Sequence, residues 1–148
     1  KKLNSNLLLL YTGIQRNAET IANNYVHKLS NEKEKNIRKI ISNVELGEKM
    51  IKSGNIDDFG KLLHDAWIEK KELSKSITNH KIDELYKTSI QNGAVGGKLL
   101  GAGGGGFLLI YMMKEKQKNF LKKIKNITNI PFKFSNKGCE VILNSLKK

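Results

Sequence analysis

Gly93-Ala94-Val95-Gly96-Gly97-Lys98-Leu99-Leu100-Gly101-Ala102-Gly103-Gly104-Gly105-Gly106-Phe107 is the stretch on which the reading of this chain turns. Eight of the chain's 13 glycines fall inside it. Glycine loses the most conformational entropy on ordering, so such a cluster is costly unless its shape is used. In return it offers positive φ without steric cost and a backbone that another group can approach closely. The flanks predict order: Lys98-Leu99-Leu100 leads in, and Phe107-Leu108-Leu109-Ile110-Tyr111-Met112-Met113 leads out as an apolar, strand-like run. A glycine arch between two buried strands can gather backbone N–H groups into a concavity suited to phosphate oxygens. It can equally be a tight strand connection with no ligand.

Two familiar phosphate motifs do not apply. A P-loop needs a glycine where Asn92 stands, and a hydroxyl where Leu99 stands. Gly101-x-Gly103-x-x-Gly106 spells the dinucleotide fingerprint but leads into a strand, whereas that fingerprint works through a helix N-terminus.

Working outward, Asn6 to Thr12 predicts a buried strand closed by Gly13. Helical spacing predicts helices over Gln15–Leu29, from a Ser30 or Asn31 cap to a break at Ser53-Gly54-Asn55, from Asp57-Asp58 through Leu73, and over His80–Gln91. Two strands flank the arch, a short helix runs from Lys114 to Lys125, and strands follow at Phe132–Phe134 and Cys139–Leu143. This order predicts one α+β domain over residues 1–148, an antiparallel sheet with helices packed on one face.

Composition bounds the function. The chain has 39% hydrophobic and 28% charged residues, which is ordinary for a globular domain. It opens on Lys1-Lys2 without methionine, which predicts a fragment or processed product. No apolar run approaches the ~20 residues of a transmembrane helix, and no signal peptide is visible. Cys139 is the only cysteine, which excludes an internal disulfide, favours a cytoplasmic setting and reads as a small buried hydrophobe. The net charge of +13 comes from lysines, with Arg16 and Arg38 the only arginines. Nucleic-acid readers favour the arginine fork, so the charge fits anionic metabolites better than nucleic acid. No Cys-x-x-Cys or His-Glu-x-x-His spacing predicts a metal site.

Three further groups could carry chemistry. Thr12-Gly13-x-x-Arg16 ends a strand and enters a helix, placing hydroxyl, backbone N–H and guanidinium near one point. His64, Trp67 and Lys71 share a helical stripe and could contact a sugar, although a core Trp with a lysine lying over it explains them better. Lys98 is either a phosphate partner or a solvated strand residue, and the solvated reading is preferred.

Lys98 through Phe107 resembles the C-terminal glycine motif of the GHMP small-molecule kinases, the superfamily of galactokinase, homoserine kinase and mevalonate kinase. Leu100 departs from it, standing where many members carry a hydroxyl residue. Within the superfamily the chain is most similar to the D-glycero-D-manno-heptose 7-phosphate kinases, through Asn6–Arg16, Phe59–Trp67 with Lys70-Lys71, Ile82–Tyr86 and the glycine stretch. The resemblance covers only the second half of such a kinase. It implies a ferredoxin-like C-terminal domain and transfer of the ATP γ-phosphate to the anomeric hydroxyl of a heptose 7-phosphate. It also implies that Gly101, Ala102, Gly103, Gly104, Gly105 and Gly106 lie beside the nucleotide phosphates. Thr12, Arg16 and Lys71 are then the candidates for the sugar phosphate, in a pocket apart from ATP. The catalytic Asp, the Mg²⁺ ligands and the main phosphate loop are implied to lie in the protein's own N-terminal kinase domain, so this chain alone is expected to be silent. The alternatives are a fucose, galactose or mevalonate type of kinase, and a non-catalytic α+β module for a small anion or RNA.

Overall fold

The computed structural model describes residues 2–29, 33–135 and 137–138. In chain order they form α1 (Lys2–Ser5), β1 (Leu7–Tyr11), α2 (Ala18–Asn23), a 3₁₀ turn at Val26–Lys28, α3 (Glu34–Ser53) and α4 (Phe59–Lys71). A second 3₁₀ turn at Lys75–Ile77, α5 (His80–Gln91), β2 (Ala94–Leu99), β3 (Phe107–Met112), α6 (Lys114–Lys123) and β4 (Thr128–Asn129) follow. The four strands make one antiparallel sheet in the order β2-β3-β1-β4.

The leucine run of β1 is buried because it is an inner strand. It pairs with β3 from Leu7 opposite Tyr111 to Tyr11 opposite Phe107. Leu8, Leu10, Leu108, Ile110 and Met112 meet Leu85 and Phe120 in the larger core cluster. A smaller cluster joins Leu7 and Tyr111 to Leu63 of α4. Burying a side chain such as Ile110 or Leu10 contributes about 1.5–3 kcal/mol, so these inner strands are the most stable part of the frame.

Helix α4 lies against β2 at glycine distance. A Cβ on Gly96 would sit 1.9 Å from the Gly60 carbonyl oxygen, and one on Gly60 would sit 2.7 Å from the Val95 Cβ. The register shifts between Ala94 and Gly96, so Val95 is the irregular position of the strand. Helix α3 ends where expected, at Gly54 with φ 74°. Asn79 caps α5 by accepting from the Ile82 N–H at 3.1 Å.

Two expectations are corrected. The helix over Gln15–Leu29 does not form as one piece: Asn17 caps a six-residue α2, and the chain ends it at Asn23 before the Val26–Lys28 turn. The extended segment between Gly13 and Asn17 is used for contacts to the glycine arch instead. Phe132–Phe134 is not a strand; the fourth strand comes earlier, at Thr128–Asn129, pairing with Leu10 and Tyr11. There Asn4 holds the Phe134 N–H at 3.0 Å, a side-chain contact in place of a ladder. The Ser30 or Asn31 cap, Cys139 and the Cys139–Leu143 strand lie outside the described residues.

Candidate functional site

Strand β1 delivers the first half of the site. Thr12, fully buried just past its end, donates from both its backbone N–H and its hydroxyl to the Gly106 carbonyl, each at 2.9 Å. Gly13, at φ 70°, then turns the chain. Ile14 accepts from the Gly106 N–H at 2.9 Å. The segment after β1 is thereby zipped to the end of the arch.

The arch itself takes the left-handed torsions its composition predicts, with positive φ at Gly101, Gly103, Gly104 and Gly106. Gly104 is its anchor. Its N–H donates to the Ile77 carbonyl at 2.6 Å, and its carbonyl accepts from Asn79 Nδ2 at 3.1 Å and from Arg16 Nε. Arg16 therefore reaches the arch directly. Arg16 and the glycines line one cleft of about 490 Å³, so Arg16 does not stand in a pocket apart from the arch as expected, and Thr12 does not line the cleft but braces the arch through Gly106. Tyr11 and Phe107 stand at its rim with ring centroids 5.3 Å apart.

The cleft suits an anion. Among the described residues, no Asp or Glu lines it, and Arg16 is its cation. The N–H groups of residues 101, 102 and 105 find no acceptor on the protein among the described residues. Among the described residues, the Arg16 guanidinium uses only Nε on the protein, which leaves the terminal nitrogens that pair best with phosphate. Among the described residues, no group of three or more His, Cys, Asp or Glu could hold a metal ion. No helix there is long and apolar enough to cross a membrane.

Lys71 does not line this cleft. Its ammonium lies 5.6 Å from the centroid of the Trp67 ring and 3.7 Å from Asp83. Trp67 is fully buried, and His64 Nδ1 lies 2.6 Å from the Tyr86 hydroxyl, whose pKa burial pushes up to about 12. This stripe is core with a lysine lying over it, as the sequence reading preferred. Lys98 is half-buried where the solvated reading was preferred: it lines a groove of about 450 Å³ between α3 and α4, and burial lowers its pKa.

The lysine that touches the arch is Lys70. Its ammonium donates to the Leu99 carbonyl at 3.0 Å and to the Gly101 carbonyl. Burial, and then the nearby charge of Lys98, push its pKa down to about 8. Sequence reasoning passed over Lys70 and Asn79 because both act on backbone carbonyls far away in the chain. Helical spacing could at most have separated the two faces carrying Lys70 and Lys71.

The GHMP kinases C-terminal family model matches residues 46–127, more than half of the chain. A D-glycero-alpha-D-manno-heptose 7-phosphate kinase of Campylobacter jejuni is 31% identical over 129 residues, which is 84% of this chain and 37% of that protein. A bifunctional fucokinase/GDP-fucose pyrophosphorylase of Arabidopsis thaliana is 29% identical over 143 residues, 91% of this chain and 13% of that protein. The mevalonate kinase of Methanococcus jannaschii superposes with a TM-score of 0.62 at 29% identity, covering 83% of this chain and 38% of that one. The chain thus spans well under half the length of these relatives. With the family's glycine arch in place on the fold its solved members share, this chain belongs to the GHMP kinases, as their C-terminal domain.

Proposed function

We propose that this chain is the C-terminal part of an ATP-dependent kinase that phosphorylates the anomeric hydroxyl of a heptose 7-phosphate in the cytoplasm. The observation that carries this reading is the convergence of Arg16 and the glycine arch on one cleft free of carboxylates. The 31% identity to a heptose 7-phosphate kinase supports the sugar. The residues fit a phosphate group: open N–H donors, bare backbone at Gly101 and Gly106 with nothing within 4 Å of a prospective Cβ, and one guanidinium. Gly101, Ala102 and Gly105 would hold nucleotide phosphates by their N–H groups, and ATP when bound supplies the γ-phosphoryl group. Arg16 pairs with the phosphate of the acceptor and Thr12 fixes the arch that faces it, while Lys71, turned to Trp67 and Asp83, is left out of the site. The catalytic Asp and the Mg²⁺ ligands are assigned to the N-terminal kinase domain of the same protein, as the resemblance implies. Partners beyond the sugar phosphate and that domain, nucleic acid and membrane included, are not part of this reading.

A fucose or galactose type of kinase is the second reading, favoured by the 29% identity to the fucokinase over 91% of the chain. Turnover of the full-length protein on heptose 7-phosphate, unphosphorylated heptose, fucose, galactose and mevalonate decides between them. The heptose phosphate is the expected substrate. Arg16→Ala should raise its KM about tenfold or more, since a hydrogen bond to a charged group contributes about 1.5–3 kcal/mol. Because Arg16 also braces Gly104, KM for ATP should rise by a smaller factor. A neutral sugar preferred over the phosphorylated one would discard the heptose reading and leave the family assignment intact.

A further inference from the structure

The glycine arch is held unequally along its length. Its second half is fixed by Ile77, Asn79, Arg16, Thr12 and Ile14, which between them engage the N–H and carbonyl groups of both Gly104 and Gly106. Its first half is a turn over Gly101 and Ala102, tied to the rest of the sheet by the Leu100 N–H, which donates to the Phe107 carbonyl at 2.9 Å. Gly101 stands open, with nothing within 4 Å of where a Cβ would be. Among the described residues, the only side-chain hydrogen bonds to this half come from the Lys70 ammonium.

We propose that Lys70 is a positioning residue of this site: it ties the carbonyls of Leu99 and Gly101 to the last turn of α4 and so fixes the first half of the arch. The N–H groups of Gly101 and Ala102 then stay in place to receive an anion. Two carbonyl dipoles brought to one point repel, and a cation between them offsets that repulsion. A helix C-terminus is a favourable place to keep such a cation. Lys70 makes no ion pair among the described residues, so the two carbonyls are its hydrogen-bonding partners there. Lys71, next in sequence with the same charge, turns instead to Asp83 and Trp67 and is a built-in control. The consequence for phosphoryl transfer rests on the kinase reading above; the consequence for the arch does not.

The test labels the protein with nitrogen-15 leucine and alanine and follows the amides of Leu100 and Ala102, which report on the carbonyls of Leu99 and Gly101. In the wild type both resonances should titrate with a midpoint near the value of about 8 that burial and Lys98 impose on Lys70. Among the described residues, Lys98 is the charged group of another element that acts on Lys70. Lys70→Met should displace both resonances at every pH and abolish the titration, while Lys71→Met leaves them as in the wild type. KM for ATP should rise about tenfold in Lys70→Met and recover in Lys70→Arg, which keeps a charged donor. Resonances that ignore Lys70→Met, or that respond equally to Lys71→Met, overturn the proposal. If the Met variant fails to fold, Lys70→Gln takes its place, and Leu100 and Ala102 resonances that stay unmoved in it overturn the proposal. A titrating arch in a protein that phosphorylates none of the sugars leaves this inference standing and removes the kinase reading instead.

Discussion

Gly60 and Gly96, where α4 meets β2, use glycine differently from Gly101 to Gly106 in the arch. At the helix–strand contact the issue is space. A Cβ on Gly96 would lie 1.9 Å from the Gly60 oxygen, and one on Gly60 would lie 2.7 Å from the Val95 Cβ. In the arch torsion enters as well: Gly101 and Gly106 have empty surroundings but φ of 69° and 86°, whereas Gly105 lacks a positive φ and is crowded, a prospective Cβ lying 2.6 Å from the Ile14 oxygen. Gly104 combines both constraints, with φ 71° and Arg16 Nε 2.6 Å from a prospective Cβ. The lesson is that one residue type serves stability in one region and the site in the other, and the two uses separate under mutation.

The largest effect is expected at the packing glycines. Gly96→Val sets a side chain against backbone that cannot turn aside, so α4 must leave the sheet. Overpacking of this kind costs about 3 kcal/mol or more, and a domain of this size loses roughly 10 °C in Tm. Thermal unfolding checks it; an unshifted Tm would break the comparison at its packing end.

A smaller and more local effect is expected in the arch. Gly104→Val costs about 1–3 kcal/mol of local strain, part of which the exposed Arg16 side chain relieves by moving away. Phosphate transfer by the full-length protein should fall while Tm moves much less than for Gly96→Val. Unchanged kinetics at limiting and saturating ATP would make the arch a plain connector.

The smallest effect sharpens the contrast through pH. Lys70 binds its proton less tightly when folded than when unfolded, its pKa falling from 10.5 to about 8. Between these values the unfolded chain holds the extra proton, so the contribution of Lys70 to global stability rises with pH across that window. The lowered pKa of Lys98 acts in the same direction. The arch responds oppositely, because loss of the ammonium charge weakens its hold on the Leu99 and Gly101 carbonyls. Denaturation midpoints and KM for ATP should therefore both increase above about pH 8, stability improving as affinity worsens. Both quantities moving together towards weakness would show that Lys70 supports the fold as a whole.

The sequence by itself determined the parts governed by local periodicity and by residues with unusual torsions. The leucine run of β1, the His80–Gln91 helix and the glycine arch between two strands were legible because burial, helical spacing and positive φ each mark a short stretch. Thr12 and Arg16 were legible as a pair because a strand end turning into the next element brings a hydroxyl and a guanidinium together. Tertiary structure decided what those features meet. Only the pairing of β1 with β3 brings Thr12 to Gly106 and Arg16 to Gly104, making one cleft of two candidates. Only the seating of α4 on Gly96 turns Lys70 to the arch and leaves Lys71 on Trp67. The late start of α2 and the early fourth strand were likewise settled at a distance, by the contacts of Ile14 and Arg16 with the arch and by pairing with β1. The physical reason is common to all of these. Local spacing fixes torsions and faces, whereas a hydrogen bond to a distant carbonyl depends on where the whole sheet places that carbonyl.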